Sequence, residues 1–196
     1  SMLIGRRVFK LADGIQLMSS QLAEYMKRLD IDEHRVFTIP RGVDIEMFQP
    51  RDGDERLKNE LGIKENDTTI LYVGRLDMVK GIDYLLPAAK EILANRDNAD
   101  SIKFLIVGGG SLRKQFTKSA SSFPKNIIFL GFRNDVPKLM NIAHMLVLTS
   151  LSEGAANVVM EASASGLPVV ATAVGEVPQI IADGETGRLV KPKDVD

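Results

Sequence analysis

Cysteine and tryptophan are absent, and only two histidines, His34 and His144, occur in 196 residues. Without cysteine there are no disulfides, no thiolate nucleophile and no thiolate metal site, and an intracellular protein is the simplest reading. Two histidines are too few for a His-rich metal centre. Neither sign of charge dominates: 25 basic against 26 acidic residues give a net charge of -1. No global field therefore draws in nucleic acid or an anionic membrane, which leaves room only for a local basic patch. No apolar run approaches the roughly 20 residues of a membrane span. The opening SMLIGRRVFKLADG has no signal-peptide core, so a cytoplasmic location is expected. Ser1 ahead of Met2 reads as an added residue, and the chain as a piece of a longer protein.

What remains is an ordinary globular composition, 44% hydrophobic and 26% charged, enough for one large domain or one domain plus part of another. Short β-branched runs recur at Val36–Ile39, Thr69–Val73, Lys103–Val107, Asn126–Leu130, Met145–Leu148 and Val169–Ala171. They are apolar throughout rather than alternating, as in strands buried on both faces. Between them, Ile82, Leu85, Leu86, Ala89, Ile92 and Leu93 mark one face of a helix. Residues 112–120, 134–143, 157–165 and 177–182 also read as helical. Alternating strands and helices predict right-handed βαβ units in an α/β, Rossmann-like, doubly wound parallel sheet. Residues 1–35 differ, with a helix around Ser20–Leu29 and a weak strand before it. The turn-rich IPRGVDIEMFQP (39–50) reads as a linker, and Arg51–Asp67 as a solvated loop with a short helix.

Three strand-to-helix turns carry candidate chemistry. In YVGRLDMVKG (72–81), Arg75 and Lys80 sit beyond a strand's carboxyl end, where open α/β sheets bind ligands. A planar guanidinium and a mobile ammonium suit a diphosphate, although spacing alone also fits two solvated loop cations. In VGGGS (107–111), the glycines permit close backbone approach, but Arg113 stands where a dinucleotide fingerprint needs glycine or alanine. A tight turn is the favoured reading there. In SEGAANVVME (152–161), Glu153 precedes the small residues Gly154, Ala155 and Ala156, and Glu161 follows inside a helix. Unshielded amides at that helix start suit an anion or hydroxyls. The two carboxylates would stand roughly 8–12 Å apart at about 1.5 Å per residue. That separation fits the two ends of an extended ligand, or equally a solvent-facing pair.

Together IPRGVDIEMF, VGRLDMVKG, FLIVGGGSLR, IIFLGF, SEGAANVVMEASASGLPVVAT and GEVPQII resemble the donor-binding domain of the retaining GT-B glycosyltransferases of family 4. The resemblance implies a boundary: 1–35 the remnant of an N-terminal acceptor domain, including ADGIQLMSS, and 36–196 the nucleotide-sugar domain, the C-terminal half of a GT-B fold, truncated at its end. It implies that Arg75 and Lys80 hold the donor diphosphate and that Glu153 contacts the transferred sugar. Gly154, Ala155, Ala156 and Asn157 would offer groups to sugar and phosphate, and Glu161 would meet the ribose. The Gly131–Arg133 loop would meet the base, and Gly42 would line the interdomain cleft. It further implies transfer from a UDP-, GDP- or ADP-sugar with retention, no metal and no cofactor. The acceptor, a glycan, lipid or small molecule, would be held by the missing N-terminal domain. Polysaccharide biosynthesis and peripheral membrane association of the longer protein are compatible with this pattern, and nucleic acid is not a partner.

Departures are Arg41 where Asn is usual, His144 for Asp, Thr149 for Pro, and Glu176 and Gln179 in the last turn. Glu176 is expected to face away from the diphosphate and His144 to be structural. Because of the last turn, a non-catalytic nucleotide-sugar binding subunit or regulatory module stands as the alternative. An NAD-dependent dehydrogenase would need the complete glycine fingerprint, which is missing.

Overall fold

In the computed structural model, residues 2–17, 20–39 and 41–194 are described, with backbone alone at 2–6, 20 and 21. Met18 and Ser19 of ADGIQLMSS, Pro40 of IPRGVDIEMF, Ser1 and the last two residues lie outside the described residues. A small unit comes first: α1 (Met2–Leu11), β1 (Ile15–Leu17), α2 (Ser20–Arg28) and β2 (Val36–Thr38). Strands β1 and β2 pair in parallel, Ile15 opposite Val36 and Leu17 opposite Thr38. Ile15, Leu17, Met26, Leu29 and Ile31 are buried together beneath them. The division at residue 36 drawn from sequence places β2 in the larger domain, yet its hydrogen-bonded partner is β1. Helix α1 has no counterpart in the sequence reading.

The larger sheet contains β3 (Thr68–Val73), β4 (Ile102–Val107), β5 (Ile127–Gly131), β6 (Met145–Leu148), β7 (Val169–Thr172) and β8 (Gly187–Val190). All its pairings are parallel, and the strand order is β5-β4-β3-β6-β7-β8. Five of these strands match the apolar runs within a residue or two. Strand β8 does not: GRLV contains a glycine and an arginine, and no described residue of it is fully buried. An edge strand that meets solvent on one side does not need a continuous apolar run.

Helices α3 (Glu55–Glu60), α4 (Ile82–Asn95), α5 (Arg113–Ser119), α6 (Val136–Ile142), α7 (Asn157–Ala164) and α8 (Val177–Ile180) complete the α/β alternation. Leu71 on β3 joins Leu139, Met140, Val159 and Ala162 of α6 and α7 on one face of the sheet. Its neighbour Tyr72 joins Leu85, Leu86, Ala89 and Phe116 of α4 and α5 on the other. Both residues are wholly inaccessible. Successive strand residues point to opposite faces, so a strand covered on both sides must be apolar throughout.

The chain order reverses between β3 and β6, which are adjacent and pair Ile70 with Met145. The loops leaving their carboxyl ends, 74–81 and 149–156, therefore lie side by side, at the position where open parallel sheets take ligands.

Candidate active site

The two loops at this switch point are stitched together by backbone. The Leu151 amide donates to the Val79 carbonyl at 2.8 Å, and the Thr149 hydroxyl donates to the Lys80 carbonyl at 3.2 Å. Gly81 closes the first loop with φ +62°, and a Cβ there would stand 1.9 Å from the Thr149 carbonyl oxygen. Only glycine accommodates both the left-handed backbone and that approach. The carboxylate of Asp77 caps the 3-10 turn Met78–Lys80 through the Lys80 amide at 3.0 Å, and its second oxygen pairs with Arg75 at 3.2 Å. Beneath the loop the buried Tyr72 hydroxyl donates to the Arg75 carbonyl at 3.1 Å. Burial first, and then the charges of Asp77 and Glu153, push that phenol's pKa up.

This scaffold places Lys80 directly against Glu153. The ammonium donates to both carboxylate oxygens, at 2.6 and 2.8 Å, with side chains only 21% and 8% exposed. Arg75, by contrast, is 74% exposed, which leaves its guanidinium accessible from solvent. Glu153 is enclosed from two more directions. The Ser150 hydroxyl donates to Oε1 at 2.5 Å. Behind it Gly175, with φ +58°, brings its Cα so close that a Cβ would be 2.2 Å from the Glu153 carbonyl oxygen. Ser150 is itself inaccessible, and its carbonyl accepts the Thr172 hydroxyl at 2.5 Å.

Beyond Glu153 the backbone is open. Gly154 is exposed with nothing within 4 Å of its would-be Cβ, and Ala156 opens α7 without a side-chain cap. The Asn157 and Val159 amides already donate to the Ala155 and Ala156 carbonyls at 2.7 and 2.9 Å, so it is the exposed turn leading into the helix that suits an anion or hydroxyls. Asn157 is best oriented with its nitrogen donating to the Ala155 carbonyl at 3.1 Å and its oxygen accepting from Arg41 Nη1 at 3.0 Å. That contact lays the 41–43 turn against the start of α7. Gly42 there is exposed and has open space around it. Glu161 lies in the second turn of α7, and desolvation raises its pKa.

Of the residues nominated from sequence, Lys80, Glu153, Gly154, Ala155, Ala156 and Asn157 are brought together by these two loops. Arg133 also has partners within the fold: its guanidinium forks onto Asp135 at 2.8 and 2.6 Å and reaches Glu60 at 3.3 Å. The VGGGS glycines belong to the turn: Gly108 has φ +129°, with a would-be Cβ 1.9 Å from the Gly74 carbonyl oxygen, and the Gly109 carbonyl accepts from the Leu76 amide at 2.9 Å. His144 accepts the Thr69 amide at Nδ1 at 3.0 Å, a structural contact. Ser150, Thr172, Tyr72 and Asp77 had no mark in the sequence beyond being polar groups at or just after the ends of apolar strands.

A family profile described as glycosyl transferases group 1 matches residues 53–196, and the chain belongs to that family. It is 33% identical over 175 residues to the UDP-Gal:alpha-D-GlcNAc-diphosphoundecaprenol alpha-1,3-galactosyltransferase of Escherichia coli, covering 87% of this chain and 45% of that protein. It is 33% identical over 184 residues to the D-inositol 3-phosphate glycosyltransferase of Corynebacterium efficiens, covering 89% and 43%. In fold it resembles Anabaena HepE, solved in complex with UDP and glucose, with a TM-score of 0.86 at 21% identity over 99% of this chain and 54% of that one. The sheet is thus that of the GT-B glycosyltransferases, and the chain spans under half the length of these two curated relatives. No helix among the described residues is long and apolar enough to cross a membrane.

Proposed function

We propose that this chain is the donor-binding half of a glycosyltransferase that moves a sugar from a nucleoside diphosphate to an acceptor with retention of anomeric configuration. The observation that carries this reading is the Lys80–Glu153 pair, held across the switch point by two loops that also present the open start of α7. Lys80, with Arg75, binds the diphosphate and offsets the charge that builds on it as it leaves, the role a metal fills elsewhere. Glu153 accepts hydroxyls of the transferred sugar, and Glu161 accepts those of the ribose. Gly154–Ala156 meet the sugar and phosphate through backbone amides with Asn157 beside them, and residues 131–133 meet the base. Retention follows when the departing phosphate takes the acceptor's proton on the face it vacates, so no protein nucleophile is required, unlike most retaining glycosidases. The acceptor is bound by a further domain, and the Gly42 turn faces the cleft between the two. The donor in the name of the Escherichia coli relative and the UDP bound to HepE favour a uridine nucleotide.

Calorimetric titration with UDP, GDP and ADP, each with and without an attached sugar, tests this. One nucleotide is expected to bind best, with Lys80→Ala and Glu161→Ala each weakening it about tenfold or more, as for loss of a charged hydrogen bond. Absence of binding by all three at millimolar concentration would overturn it.

A further inference from the structure

Lys80 commits two of its three donors to Glu153, so it cannot turn more than one to a diphosphate without loosening that hold. Both oxygens of Glu153 rest on the one ammonium, and the carboxylate is only 8% exposed. A buried carboxylate abandoned by its cation is costly unless another donor holds it. One donor is in place. The Ser150 hydroxyl touches Oε1 from the side of the sheet, at a residue with no accessible surface. That complete burial leaves the hydroxyl little room to turn away, and the Ser150 carbonyl is anchored by Thr172, itself 2% exposed.

We propose that Ser150 is the positioning residue that makes the pair exchangeable. When phosphate oxygens draw Lys80 away, Ser150 keeps the carboxylate aimed at the sugar and holds its charge. This rests on the donor-binding reading above. Thr172 acts one step further back, by fixing the Ser150 backbone at the end of β7.

A double-mutant cycle on the 196-residue chain tests it, with UDP as probe and GDP and ADP in parallel. In the Glu153 background, Ser150→Ala should weaken nucleotide binding about tenfold, since Lys80 can then leave only by stranding a buried charge. In the Glu153→Gln background no charge is stranded, and Ser150→Ala should change affinity less than about twofold. Glu153→Gln alone should bind UDP at least as tightly as the parent, because Lys80 is no longer shared. Equal losses in both backgrounds would make Ser150 an ordinary structural residue and overturn the proposal, as would no loss in either. If Ser150→Ala unfolds, Ser150→Cys carries the same cycle with a weaker donor, and a loss that depends on Glu153 is again required. Failure of the parent chain to bind any of the three nucleotides would instead defeat the donor-binding reading, and this proposal with it.

Discussion

At the scale of single residues, the site depends on where side chains are missing as much as on where they are present. Gly81 and Gly175 lie where two loops touch, each with positive φ and a neighbouring carbonyl oxygen at 1.9 and 2.2 Å from the would-be Cβ. Gly81→Ala and Gly175→Ala should each cost more than about 2 kcal/mol in denaturant unfolding, from strain and overlap combined. Gly42→Ala, with open space around it, is the control and should stay within about 0.5 kcal/mol. Glu161 gives a second test at this scale. Desolvation raises its pKa above the ordinary 4.5, so the folded chain binds that proton more tightly than the unfolded one. Its contribution to stability is then greatest at low pH and falls as pH rises through the range above 4.5. Glu161→Gln should be more stable than the parent at pH 7, with the gap closing below about pH 4.5, in thermal melts across pH. The sequence named Lys80 and Glu153 as neighbours of one ligand but gave no sign that they would touch each other.

At the scale of elements, the short helix α3 is held by charge as well as by packing. Asp54 caps it through the Leu57 amide at 3.1 Å and pairs with Lys138 of α6 at 3.0 Å. Glu60 at its other end pairs with Arg133, which also grips Asp135. The Lys138 hydrogen bond, followed by the Leu57 amide, holds the Asp54 pKa below its ordinary 3.8, and Arg133 does the same for Asp135. For such depressed acids the stabilisation is present above the unfolded value and is lost as pH falls through the folded one. Attachment of α3 should therefore weaken below about pH 4, and amide exchange in 55–60 should quicken there. Asp54→Asn, which removes the charge facing Lys138, should bring the same acceleration to neutral pH. The charged run 51–67 reads from sequence as a solvated loop with a short helix. The helix is present, but which charge meets which depends on α6, some eighty positions along the chain.

At the scale of the whole molecule, the direction of chain travel leaves the sheet unequally covered. From β3 to β5 the chain moves one way, and right-handed crossovers put α4 and α5 on one face; from β6 to β8 it moves the other way, and α7 and α8 fall on the opposite face. On the α4 side Val147 of β6 packs against the α4 cluster, while Val170 of β7 and Val190 of β8 belong to no hydrophobic cluster among the described residues. An apolar groove of about 520 Å³ runs there, lined by Ile70, Leu85, Ile92, Val147, Val170 and Val190. Adjacent residues on β7 should therefore respond oppositely. Val170→Asp, in the groove, should keep cooperative unfolding and reduce the fluorescence of a hydrophobic dye such as ANS. Ala171→Asp, wholly buried on the other face, should abolish the folded state, because a carboxylate there has no partner.

By itself the sequence determined the α/β alternation, five of the six strands in the larger sheet and the loops that hold Arg75, Lys80, Glu153 and the start of α7. These are local matters: a strand covered on both faces must be apolar along its length, and a turn that admits a ligand must be small. Only the tertiary structure decided the pairing of β2 with β1, the edge strand β8, the employment of Arg133 by Asp135 and Glu60, and the Lys80–Glu153–Ser150–Thr172 chain of contacts. None of these follows from a period along the chain, and the last contacts exist only because β3, β6 and β7 lie side by side with their carboxyl ends level.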